Sequence, residues 1–366
     1  MLPAEVRGSS ACGRCLARSW LLARLAGHLD RVRDRIQALL ELVDEELIAA
    51  VAGKQEAEVR RQHEAFDADA ARARCAVAGL EQICRCGPGY PAKLAELAAP
   101  PAVLHIAGGL ERFVALSAED NVAIVGARGA SPYGVAVARS LARGLGSAGV
   151  TVISGMALGI DTAAHLGALD GESATIAVAP AGADRPYPAS GRALHRRIRR
   201  IGAVVSELAP GVPVRRWMFP ARNRIIAGLS AMTVVVQART GSGALLTARC
   251  AADLGRAVGA VPGQVTVPLS AGPHELLRAG AQLVAGPQDV LDGLFGPGAR
   301  YVPGLHRPLL APDLQALLDA IADGYDIREA FERAGLGADR GLAALASLEL
   351  GGRVRREAGG RFSAQP

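Results

Sequence analysis

The residues in this chain best equipped for chemistry are arginines set around an aromatic ring. Between Arg215 and Ser230 the sequence reads RRWMFPARNRIIAGLS, which places Phe219 between Arg215-Arg216-Trp217 and Arg222-Asn223-Arg224 in a basic turn. Guanidinium groups hold phosphates and ring faces accept bases. The combination suits single-stranded nucleic acid, where stacking contributes about 1 to 3 kcal/mol per base. Trp217 reads equally well as a core residue. After the apolar run Met232 to Val236 comes ARTGSGALLTA, in which Ser242, Gly243 and Thr247 open a helix. The free amides of its first turn would add anion donors at the same edge.

Two earlier glycine turns extend the pattern. The stretch Gly126-Ala127-Arg128-Gly129-Ala130-Ser131-Pro132-Tyr133-Gly134 follows an apolar strand. Gly126 allows close backbone approach, Arg128 supplies a charged fork, and Ser131 before a proline is a good helix N-cap. Its spacing is G-x-x-G and not G-x-G-x-x-G, and the next strand ends in Ser154-Gly155 where a ribose-binding acid would stand, which argues against a dinucleotide. The second turn, SGMALGIDTAAH, carries Gly155, Gly159 and Asp161. Asp161 and His165 are one helical turn apart, and without a third ligand nearby they read as a cap and a packed imidazole, not as a metal pair.

Standard catalytic signatures are missing. Neither lysine completes a Walker A loop, and there is no H-E-x-x-H or G-x-S-x-G, so no catalytic residue is assigned. Cys12 and Cys15 form a C-x-x-C and Cys84 and Cys86 a C-x-C, which leaves open a four-thiolate zinc site, although the second spacing is tight for a zinc knuckle. The six cysteines are read as unrelated reduced thiols, and neither a metal nor another cofactor is expected.

Such turns need a sheet to present them. From Asn121 the pattern alternates strand and helix, with strands predicted at Val122 to Val125, Val150 to Ser154, Thr175 to Ala179, Ala203 to Ser206, Thr233 to Val236 and Val258 to Val261. Short, continuously apolar strands separated by crossover helices predict an α/β fold around a Rossmann-like, mostly parallel sheet. Before it, residues 1–85 read as a helical domain, with Trp20, Leu21, Leu25, Leu29, Val32 and Ile36 at helical spacing. The sheet domain spans 86–296, with its core at 120–296. A Pro/Gly-rich linker follows at 297–312, and 313–366 reads as three helices and a hairpin tipped by Gly359-Gly360, a winged helix.

Net charge is +6, but residues 1–119 hold 15 basic and 16 acidic groups and 306–366 hold 8 and 9. Residues 120–296 hold 17 against 10, and 185–224 hold ten arginines against Glu207 alone, so the basic excess forms one window suited to a polyanion. HRRIRR at 195–200 is also what a solvated helix face would look like. No apolar run reaches membrane-spanning length and the N-terminus lacks a signal peptide's apolar core, so the expectation is a cytoplasmic protein without membrane contact.

Taken in order, VAIVGARGASPYG, SGMALGIDTAAH, AVAPAGADRPYP, VVSELAPG, FPARNRIIAGLS, SGALLTA and AVPG resemble the central domain of the DprA/Smf family of DNA-processing proteins. The flanking helical domain, read as SAM/HhH-like, and the winged helix fit that family's longer members. The resemblance implies a non-enzymatic homodimer that binds and protects incoming single-stranded DNA and helps load RecA on it during natural transformation and recombination. Single-strand binding protein is a further candidate partner. It carries DNA contact onto Gly126, Arg128, Ser154, Gly155, Gly159, Asp161, Phe219, Arg222, Asn223 and Arg224, to which the residue chemistry adds Ser131, Ser242, Gly243 and Thr247. The chain departs from the family pattern at Gly191, at Gln237 where Glu is common, and at Pro273-His274. Two alternatives stand beside it. A phosphoribohydrolase-like enzyme would carry P-G-G-x-G-T followed by Glu, where this chain has Thr240-Gly241-Ser242-Gly243-Ala244. A ligand-gated winged-helix regulator would read duplex DNA.

Overall fold

The computed structural model describes residues 11–302, 310–357 and 360–364. They fall into two compact units, Met1–Val302 and Pro303–Pro366. The first is built on a nine-stranded sheet. Its strands are β1 (Glu81–Cys84), β2 (Val103–Ala107), β3 (Val122–Val125), β4 (Val152–Ser154), β5 (Thr175–Val178), β6 (Ala203–Ser206), β7 (Met232–Val235), β8 (Ala257–Ala260) and β9 (Gln282–Leu283). Their order is β1-β2-β6-β5-β4-β3-β7-β8-β9. From β6 to β9 all pairs are parallel, while β1 and β2 join antiparallel at one edge.

Burial on both faces explains the unbroken apolar strands. In β3, Val122 and Ile124 face helices Pro132–Ser147 and Ile160–Asp170, whereas Ala123 and Val125 face helices Leu110–Ala118, Met218–Leu229 and Gly243–Asp253. The six strands predicted from Asn121 onward are all present, each within two residues of its expected ends.

The N-terminal helices do not stand apart from the sheet. Leu21, Leu25, Leu29, Leu47 and Ile48 share one apolar cluster with Trp217, Met218 and Ala221, and Trp217 is wholly buried. Asp30 Oδ1 accepts the Trp217 amide at 3.0 Å, and Gln37 Nε2 donates to the Pro220 carbonyl at 3.1 Å. These contacts correct the basic turn. Residues Met218–Leu229 are a helix, and Pro220 lies in its first turn, where the missing N–H costs no hydrogen bond.

Four of the cysteines form a cluster, against the expectation of unrelated thiols. Cys12, Cys15, Cys84 and Cys86 are not scattered but meet at the start of helix Gly13–Arg24, because β1 ends there.

In the second unit, helices Pro312–Ala322, Ile327–Arg333 and Ala338–Leu350 precede a hairpin of β10 (Val354–Arg356) and β11 (Phe362–Ala364), the expected winged-helix layout. They close around their own core of Leu317, Phe331, Leu345 and Val354. Residues 303–309 of the predicted linker, and Gly359 at the predicted wing tip, lie outside the described residues.

Candidate nucleic-acid interface

The chain leaves β3 toward β4 on one side and returns to β7 on the other, so the sheet order reverses between β3 and β7. Crossovers diverge at that point, and a crevice opens beyond the carboxyl ends of the two strands. The crevice is a groove of about 270 Å³. Of the residues singled out from sequence, Gly126, Arg128, Asp161, Phe219, Arg222, Asn223, Ser242, Gly243 and Thr247 line it.

The β3 turn is built by close packing. A Cβ on Gly126 would come within 2.6 Å of Ile160 Cγ1 and 2.8 Å of the Gln237 carbonyl. Gly159, at φ +77°, packs on the Ala127 and Arg128 carbonyls. The Ala127 amide donates to Gln237 O at 2.7 Å, and the Ser131 amide donates to Gln237 Oε1 at 3.0 Å. Ser131 Oγ in turn caps helix Pro132–Ser147 through Gly134 N. Gln237 thus fastens the turn to the end of β7, so this departure from the family pattern retains a positioning role. What the clamp leaves outward is Arg128, which is exposed.

Arg128 lies over the Phe219 ring, 4.7 Å from guanidinium carbon to centroid. Tyr187 also contacts Phe219, at 5.6 Å between centroids and inclined by 56°. Phe219 is half-buried and Tyr187 exposed, so the groove ends in two partly accessible rings beside a cation. Tyr187 was not singled out from sequence, because nothing in ADRPYP distinguishes a ring facing a groove from a loop tyrosine.

Across the groove, Ser242 is the N-cap of helix Gly243–Asp253, and its buried hydroxyl has no hydrogen-bond partner among the described residues. A buried polar atom without a partner is costly, and here it lies at a helix N-terminus on the groove wall. Thr247 Oγ1 spends its proton on the Gly243 carbonyl at 3.3 Å, and Asn223 Nδ2 donates to the same carbonyl at 3.0 Å. Arg239, at the exposed end of the β7 turn, has no ion pair among the described residues and was likewise not singled out.

Burial reassigns the other arginines. Arg222 is enclosed, donating to the Gly155 carbonyl at 2.6 Å and to the Val178 carbonyl. A Cβ on Gly155 would fall 2.3 Å from its guanidinium, so the glycine is the passage for Arg222. Burial pulls the Arg222 pKa down to about 10, while Asp161 opposes the fall, so it stays cationic at neutral pH. Asp161 accepts the Gly155 and Ala157 amides at 3.2 and 3.3 Å. Desolvation raises its pKa, against Arg222 and those amides. It acts as an internal cap, apart from His165, whose Nδ1 donates to Thr175 Oγ1 at 2.8 Å because that hydroxyl gives its own proton to Val152 O.

Arg224 does not face the groove. It is buried, paired with Glu207 at 2.6 Å, and donates to the Ala99 and Ala221 carbonyls. The expectation that it holds strand backbone gives way to an internal ion pair joining helix Met218–Leu229 to the end of β6. Ser154 is likewise internal, its hydroxyl donating to the Ile124 carbonyl at 2.7 Å.

Fold and groove together define a doubly wound α/β protein with a cationic, aromatic-floored crevice at its switch point. The chain belongs to the DNA recombination-mediator protein A family, whose model matches residues 81–295. It is 36% identical to the protein Smf of Escherichia coli, over 74% of each chain. It is 49% identical to the putative DNA processing protein DprA of Mycobacterium tuberculosis over 46% of this chain, a match that spans 44% of that relative's length. Its structure is similar to that of DNA processing protein A from Streptococcus pneumoniae, with a TM-score of 0.61 and 32% identity, covering 76% of this chain and 96% of that one. Similarity extends to DNA processing protein A from Helicobacter pylori, described for its single-stranded DNA binding mode, with a TM-score of 0.53 and 29% identity over 59% of this chain and 95% of that one. Among the described residues no helix is long and apolar enough to cross a membrane.

Proposed function

We propose that this protein binds single-stranded DNA in the β3/β7 groove without turning it over, and that as a cytoplasmic homodimer it delivers that strand to RecA for recombination. One observation carries the reading. A half-buried Phe219 ring lies under an exposed Arg128 at one end of a groove whose far wall is a helix N-terminus where the Ser242 hydroxyl has no partner among the described residues. Ring, cation and amide donors are the set that a base and its phosphates require, and none of them reads base identity. In this reading Gly126, Arg128, Phe219, Ser242 and Gly243 touch the strand. Asp161, Arg222, Asn223 and Thr247 shape the groove from beneath, and Ser131, Ser154, Gly155, Gly159 and Arg224 hold its walls.

The test is a titration of single-stranded and duplex oligonucleotides across a range of salt. Preference for the single strand, little dependence on sequence and a steep salt slope are expected. Equal or tighter duplex binding would overturn the proposal and favour a winged-helix regulator, while release of a base from a nucleotide would favour the phosphoribohydrolase reading. RecA filament assembly on strands covered by single-strand binding protein, with and without this protein, tests the delivery step.

A further inference from the structure

The four cysteines gathered at the sheet's antiparallel edge lie outside the groove and have no part in the function proposed above. Cys12 is the N-cap of helix Gly13–Arg24 and Cys15 lies in its first turn. Cys84 ends β1, and Cys86 follows in a turn closed by the Gly87 amide donating to the Cys84 carbonyl at 2.8 Å. The sulfurs of Cys12, Cys15 and Cys84 all lie within 4.8 Å of one another, and Cys86 Sγ is 3.7 Å from Cys15 Sγ. Four thiolates at about 2.3 Å from one tetrahedral zinc ion are separated by about 3.8 Å, whereas a disulfide brings sulfurs to about 2.05 Å. The observed spacing has the scale of a shared cation.

We propose that Cys12, Cys15, Cys84 and Cys86 form a closed structural zinc site. The surroundings fit thiolates. The Cys12 amide points at Cys84 Sγ at 3.4 Å, and Arg14 Nη2 lies 3.9 Å from Cys86 Sγ. A zinc ion with four thiolates carries a net charge of two minus, which the guanidinium and the first-turn amides of the helix offset. As four S–Zn bonds form, four thiol protons leave to solvent, so occupancy rises with pH. All four positions are taken by protein, so the site is structural and offers no open position for chemistry. It joins chain segments 72 residues apart, tying the first helix to the edge strand of the sheet.

The full-length chain, purified reduced, loaded with zinc sulfate and desalted, tests this by elemental analysis and native mass spectrometry. One tightly held zinc per chain is expected. Cobalt in its place should give a thiolate charge-transfer band and the intense visible bands of a tetrahedral site. Cys12→Ser with Cys84→Ser should remove the zinc, and Cys75→Ser with Cys250→Ser should retain it. If the first pair fails to fold, the metal content and cobalt spectrum of the unaltered chain still decide. Absence of retained zinc, a disulfide within the four, an iron–sulfur cluster, or zinc retained by Cys12→Ser/Cys84→Ser would each overturn the assignment.

Discussion

Arg128 and Arg224 have opposite fates, and each predicts a different phenotype. Arg128 is exposed over Phe219. If it neutralises one phosphate, Arg128→Ala lowers the slope of log affinity against log salt by about 0.7 on single strands and weakens all sequences alike. Phe219→Ala removes a stacking face at about 1 to 3 kcal/mol, roughly a 5- to 150-fold loss of affinity, and Phe219→Trp restores it. Fluorescence anisotropy with labelled oligonucleotides reads both, and unchanged affinity in either variant would remove that residue from the interface. Arg224→Ala does something else. It leaves Glu207 buried without its cation, and breaking a buried pair costs about 3 to 5 kcal/mol. Urea unfolding should record that loss while the folded fraction keeps its salt slope; a stable variant with a reduced slope would return Arg224 to the DNA.

At the scale of elements, what was legible from sequence followed burial. The strands from β3 to β7 announce themselves because both of their faces are covered, so apart from a single buried serine or threonine in each of β4 to β7 their residues are apolar. Helix Met218–Leu229 did not, because a proline and three charged or amide side chains in its first two turns read as a surface turn. One end of it is buried by the N-terminal helices, remote in sequence. Charge patterns likewise cannot report that Arg222 runs inward, since most arginines lie at the surface and the acceptors here are the Gly155 and Val178 carbonyls. The cysteine pairs were legible as pairs, but only the β1 register brings them together. The inward path of Arg222 makes Gly155 a test of the element. Gly155→Ala forces a methyl against an enclosed guanidinium and should cost about 1 to 3 kcal/mol of stability, seen as a lower melting temperature. An unchanged melt would mean that Arg222 has another route.

Across the whole molecule, two buried imidazoles tie the sheet to its neighbours and make stability depend on pH. His105, on β2, meets Ser19 Oγ of the first helix at 3.1 Å, and Ser19 donates onward to the Glu207 carbonyl after β6 at 2.8 Å. Cys75 and Gln82 complete its surroundings. Burial lowers the His105 pKa to about 4, and burial together with Arg222 lowers that of His165 to about 3. Both are neutral when folded, whereas the unfolded chain takes up their protons as pH falls through about 6.5. Their contribution to stability is therefore complete above that pH. It is lost progressively between about 6.5 and 4, on the order of 2 to 3 kcal/mol for each imidazole. Melting temperatures measured from pH 8 to pH 4 should be flat at first and then fall. In His105→Gln, which keeps a polar side chain but cannot titrate, the decline should be shallower by about one proton's worth over that window. An equally steep fall in the variant would place the acid sensitivity elsewhere and leave His105 as a packing residue between helix and sheet.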